Sequence, residues 1–104
     1  MAGTRGIRRR CREGRGVLSF QLGQTLITAG AKEELVQSDV IGALRRHARG
    51  DWGDLTDEDK KLNDQALKDG SRLLSAYHDT TGTKFWVITE ADRSATTVLL
   101  PSEY

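Results

Sequence analysis

Apolar positions along this chain change their spacing once, near Gly70, dividing a helical half from a stranded half. Ahead of the change, Gln24–Ala29 predicts a strand, with Ile27 and Thr28 β-branched. Gly30 is expected to break it, and Ala31–Gln37 predicts a short helical turn of good helix formers. Ser38 is the expected N-cap of a second helix, with Asp39 in the first turn, where negative charge suits the dipole. Val40, Ile41 and Leu44 form its expected buried stripe, and Arg45, Arg46 and Arg49 lie toward the C-terminal end. Gly50 ends it. Asp51-Trp52-Gly53-Asp54-Leu55 reads as a turn with two apolar anchors. Thr56 then caps a third helix, with Asp59 placed to reach back, Leu62, Ala66 and Leu67 facing inward, and Gly70 at the terminating position.

After Gly70 the period falls from 3.6 to 2. Arg72–His78, Lys84–Glu90 and Ala95–Leu100 predict three strands of a meander, joined by turn formers at 79–83 and 91–94. The loop lengths set the register. His78 is expected opposite Lys84, Ala76 opposite Trp86, Arg72 opposite Glu90, Ile88 opposite Thr97 and Trp86 opposite Leu99. One face then carries Leu73, Ser75, Tyr77, Phe85, Val87, Thr89, Thr96, Val98 and Leu100. The other carries Leu74, Ala76, Trp86, Ile88 and Leu99, rimmed by Arg72, His78, Lys84 and Glu90. Both faces are apolar at the centre, whereas a sheet with one solvated face alternates cleanly.

The predicted fold is therefore α+β. It is a mainly antiparallel four-stranded sheet in the order β-α-α-α-β-β-β, with helices packed on one face. Three short helices are enough to cover one face, and they are assigned to the side of Phe85, Val87 and Leu100. The Trp86 side is then an apolar patch with a charged rim, the usual composition of a protein interface. The alternative arrangement puts the helices over Trp86.

Composition sharpens this picture in one place. Residues 1–16 hold six arginines (Arg5, Arg8, Arg9, Arg10, Arg12, Arg15) and one glutamate, a charge of +5. The other 88 residues hold 10 basic and 14 acidic side chains, a charge of −4. Glycines interleave with the arginines, so residues 1–16 read as a flexible arm and 17–104 as one α+β domain. Such an arm offers phosphate neutralisation without base reading. No apolar run approaches the roughly 20 residues of a membrane span, and the basic N-terminus lacks the apolar segment of a secretory signal. Cys11 is solitary, which fits a reducing cytoplasm.

Candidate chemistry is sparse. With two histidines and one cysteine, no paired metal-ligand spacing exists, and no cofactor is expected. The phosphate-loop pattern and the G-x-S-x-G elbow are both absent. His47 reads as solvent-facing among arginines, and Asp92-Arg93 as a local ion pair. A minority reading as a small hydrolase or nuclease requires His78, Lys84 and Glu90 to converge in one pocket; Ser75 or Ser94 with His78 and Asp79 is the other conceivable set.

The segments HARGDWGDL (47–55), RLLSAY (72–77) and FWVITEADRSATTVLLPSEY (85–104) resemble a small, uncharacterised family carried on plasmids and integrated mobile elements of proteobacteria. Members bear labels such as plasmid-related protein or type I restriction-modification subunit. The second label does not fit, because a methyltransferase subunit needs a larger cofactor-binding fold and an N/D-P-P-Y/F motif. The resemblance implies an accessory protein of mobile DNA in the bacterial cytoplasm and no catalytic residues. The favoured reading is a non-catalytic module that binds a protein partner or itself through Arg72, Leu74, His78, Lys84, Trp86, Ile88, Glu90 and Leu99. The second reading is a nucleic-acid accessory protein working through the arginine arm.

Overall fold

The computed structural model describes residues 20–104; Cys11 and the arm arginines lie outside them. The described chain runs β1 (Gln24–Ile27), α1 (Ala29–Glu34), α2 (Gln37–Ala48), α3 (Asp57–Asp69), β2 (Leu73–His78), β3 (Lys84–Thr89) and β4 (Ala95–Leu99). A 3₁₀ turn at Pro101–Glu103 follows. The four strands form one sheet in the order β1-β4-β3-β2. β2–β3 and β3–β4 are antiparallel, whereas β1 pairs in parallel with β4. The sheet is therefore mixed. The expected partners His78–Lys84, Ala76–Trp86, Ile88–Thr97 and Trp86–Leu99 stand opposite one another, whereas the expected Arg72–Glu90 pair lies beyond the ladder, which ends at Leu73–Thr89.

Local chemistry explains where the helices begin and end, and corrects four sequence expectations. Thr28, expected within the first strand, instead caps α1: its hydroxyl accepts from the Ala31 N–H. Glu103 reaches over from the C-terminal turn and accepts from the Thr28 hydroxyl and the Gly30 N–H. Gly30 thus lies inside the first helical turn. α2 is not capped by Ser38, since its N-cap is Val36, whose N–H donates to Asp79 at 3.1 Å. α3 begins at the predicted cap, without the expected return bond from the Asp59 carboxylate. Thr56 accepts from the Asp59 N–H, and Gly70 ends the helix in the left-handed conformation at φ +79°.

α1 and α2 supply Ala31, Leu35, Val40 and Ala43 to a cluster with Tyr77, Phe85, Val87, Val98 and Leu100. A second cluster joins Trp52, Ala66 and Leu73, with Phe20, Leu55 and Leu67 against it. Two residues of the expected helix stripes point outward instead. Ile41 is 52% and Leu62 67% exposed. The α2 stripe that is buried runs Val40, Ala43, Leu44, His47, at the i, i+3, i+4, i+7 spacing of one helix face.

β2 is an edge strand, and an edge strand presents unpaired backbone groups. Here they are occupied by two devices. Residues 52–54 run alongside it: Ala76 N–H donates to Trp52 O, and Asp54 N–H donates to Ala76 O. The side-chain amide of Asn63 acts as a peptide mimic one step away, donating to Leu74 O at 2.6 Å and accepting from Leu74 N–H at 3.2 Å. Asn63→Ala removes both bonds and leaves a part-buried peptide group unpaired. It is expected to lower unfolding free energy by about 2 kcal/mol, measured by urea titration; a change within ~0.5 kcal/mol removes Asn63 from this role.

Candidate functional site

The Trp86 face is built by the alternation of β2, β3 and β4. Leu26 of β1 stands beside Thr97, which stands beside Ile88, which faces Leu74, so one row crosses all four strands. The next row holds Leu99, Trp86 and Ala76. Ala76, Ile88 and Leu99 are buried, whereas Leu74 and Trp86 are half-buried. Tyr104, carried back by the 3₁₀ turn, sets its ring 5.5 Å from that of Trp86 at 73°. Its hydroxyl accepts from Arg72 at 2.7 Å, and it remains 65% exposed.

This arrangement revises the expected patch. Ile88 and Leu99 are its floor, and the side chains presented outward are Trp86, Tyr104, Leu74 and Leu26, the last 42% exposed. A shallow depression of about 290 Å³ lined by Leu55, Leu62 and Leu74 extends the apolar surface toward α3. His78, Lys84 and Glu90 are exposed at the rim. Tyr104 was not legible from strand alternation because a chain reversal brings it in. Pro101, which starts the 3₁₀ turn, is the one signal for that reversal.

The convergence required by the hydrolase reading does not occur. His78 and Lys84 sit opposite each other at one end of β2 and β3. Glu90 follows the far end of β3, six residues and roughly 20 Å along an extended strand. His78 instead approaches Asp54, with Nδ1 at 3.6 Å from the carboxylate. Ser75 contacts the other histidine. His47, expected at the surface, is fully buried, hydrogen-bonded to Ser75 through Nδ1 and to Thr89 through Nε2 at 2.8 Å. Thr89 continues to Thr96 at 2.7 Å, and Thr96 donates to Leu22 O. Phe20 and Trp52 enclose the imidazole at centroid distances of 5.2 and 5.6 Å.

Burial holds the His47 pKa down to about 4, with the Arg93 charge acting in the same direction. A neutral imidazole has one donor and one acceptor, which matches two hydroxyl partners. The imidazole has no exposed surface. The Ser75–His47–Thr89 group is a satisfied polar seam between the two apolar clusters.

Asp92-Arg93 is also not an ion pair. Asp92 accepts from the Ser94 N–H. Arg93, at φ +61°, donates to the carbonyls of Ser71, Glu90, Ala91 and Ala66 and so ties the β3–β4 turn to the end of α3. Asp79 organises the other turn. Its carboxylate accepts from the Thr81 hydroxyl and from the N–H groups of Thr81, Thr83 and Val36. Those bonds, Thr81 foremost, hold its pKa down to about 2.

Among the described residues no group of three or more His, Cys, Asp or Glu is placed to hold a metal ion. Likewise, no described helix is long and apolar enough to cross a membrane. No family model, curated protein or solved structure matches the chain.

Proposed function

We propose that this protein is a non-catalytic binding module that associates with a second copy of itself through the Trp86 face. The observation that carries the reading is the Trp86–Tyr104 pair. Two large aromatics lie edge to face on the outside of the sheet, above a floor of buried aliphatic side chains. Aromatic anchors over an apolar floor with a charged rim have the anatomy of an interface centre.

Charge placement favours a second copy over an unrelated partner. Along β3 the rim is basic at one end, at Lys84, and acidic beyond the other, at Glu90. A twofold axis through Trp86 sets the basic end of one copy against the acidic end of the other, the self-complementarity an isologous dimer requires. In this reading α1 and α2 cover the opposite face and leave this one for the partner. The resemblance to the mobile-element family supports placing the module beside mobile DNA in the bacterial cytoplasm.

Sedimentation velocity over a concentration series tests the proposal. Trp86→Ser is expected to raise the dimer dissociation constant about 30-fold, the equivalent of a 2 kcal/mol anchor. Lys84→Glu and Glu90→Lys should each weaken the dimer, and combining them should restore it. A wild-type chain that stays monomeric throughout the series, or a dimer indifferent to Trp86→Ser, ends the reading.

A further inference from the structure

On the other side of the molecule, a groove of about 470 Å³ runs between α2 and the β2–β3 turn. Its volume lies within the ~300–1,000 Å³ range of small-ligand sites. One wall is the outward stripe of α2, where Gly42, Arg45 and Arg49 follow one another at helical spacing. The opposite wall is Tyr77 to Thr80. Several charged groups line this space, and most are already committed. Arg46 makes a two-point contact with Asp51, at 2.8 and 3.2 Å, and lies over the Tyr77 ring at 4.9 Å. Asp39 accepts from the Thr80 N–H at 2.8 Å. Asp79 accepts from the N–H groups already described. Arg45 and Arg49 are exposed and, among the described residues, form no ion pair. His78 borders the same space.

We infer that this groove is an anion site that takes a phosphate group, held between the guanidinium groups of Arg45 and Arg49. Two physical features carry the assignment. Like charges four residues apart on a helix repel, and a bound phosphate, singly or doubly charged, relieves that repulsion between Arg45 and Arg49. Arginine forks also match the planar, bidentate geometry of phosphate oxygens. The second feature is Gly42. A mid-helix glycine disfavours the helix relative to alanine, and no packing among the described residues calls for it, because a Cβ built there meets nothing within 4 Å. What the missing side chain provides is open space beside Arg45. The ligand class is a phosphate group, either free, as inorganic phosphate or the monoester of a nucleotide, or as the diesters along a nucleic-acid strand. Gly42, Arg45 and Arg49, which carry the site, do not belong to the Trp86 face.

Amide chemical shifts of the full chain, titrated separately with inorganic phosphate, adenosine monophosphate and a short single-stranded DNA, test the inference and separate the sources. Shifts centred on Gly42, Arg45, Arg49 and Thr80 are expected. If all three probes produce them, the phosphate alone is the determinant; if only DNA does, the source is a strand. Either pattern supports the site. Arg45→Ala with Arg49→Ala should abolish those shifts and lower the slope of log affinity against log salt for the single-stranded DNA by about 0.7 per lost contact. Lys60→Ala with Lys61→Ala, which removes the same charge from α3, should leave the groove shifts intact. Gly42→Glu is a second variant that fills the groove with a carboxylate at a position where a side chain fits. It should abolish groove binding without lowering the unfolding midpoint. Shifts that avoid the groove with every probe, or groove shifts that survive in both groove variants, overturn the assignment.

Discussion

Between pH 6.5 and pH 4 the folded chain is expected to lose about 3 kcal/mol of stability through His47 alone. In the unfolded chain the imidazole titrates near 6.5; in the fold, burial and the Arg93 charge hold it near 4. Below pH 6.5 the unfolded state therefore binds a proton that the native state refuses, and unfolding is favoured increasingly until the native pKa is reached. The contribution is fully present above 6.5 and is lost as pH falls. Asp79 acts in the same direction in a lower window, between its usual carboxylate value of 3.8 and about 2. Urea titrations at pH 7, 5.5 and 4.5 on the wild type and on His47→Gln separate the two. The glutamine variant, whatever its absolute stability, should lose the pH dependence above pH 4.5. If it retains the wild-type slope, the buried imidazole is not the titrating group.

Gly53→Ala is expected to destabilise the fold by about 3 kcal/mol, the sum of two penalties. Gly53 lies at φ +74°, where a residue with a Cβ is disfavoured by roughly 1–2 kcal/mol. A Cβ there also runs into the Ala76 carbonyl oxygen and comes within 2.7 Å of the Tyr77 ring. Backbone cannot yield as a side-chain end does, so relaxation must pull the 52–54 segment off the β2 edge. Overpacking of this kind costs a further ~1–3 kcal/mol. Gly70→Ala is the control. It shares the positive φ, at +79°, but its Cβ meets nothing within 4 Å, so only the conformational part should appear. Equal losses for the two substitutions would mean that the close approach to Ala76 contributes nothing.

The segment Asp51–Leu55 shows how far the sequence could be read. It was legible as a turn with two anchors, and Trp52 is indeed buried. Its pairing with Ala76 was not legible, because the bridge joins positions 23 residues apart through two backbone bonds that leave no side-chain pattern. Asn63 was hidden for a related reason. A polar residue on a helix reads as solvated unless the backbone it serves is known, and that backbone belongs to another element. His47 was misread because its arginine neighbours marked the segment as surface. The i, i+3, i+7 spacing from Val40 and Ala43 was the signal that placed it inside. On the Trp86 face, alternation identified the right residues but not their depth. Ile88 and Leu99 are buried, whereas Trp86 is half-buried with Tyr104 against its ring.

What the sequence determined alone is what short-range geometry enforces. The limits of α3 follow from a threonine cap and a glycine stop, and the strand registers follow from loop lengths and the two-residue alternation of side chains. The parallel seat of β1 beside β4, the sealed edge of β2, the neutral histidine in the core and the pairing of Trp86 with Tyr104 were decided by the tertiary structure. Each depends on which distant groups meet, and a hydrogen bond or an aromatic contact between distant residues has no period along the chain to announce it.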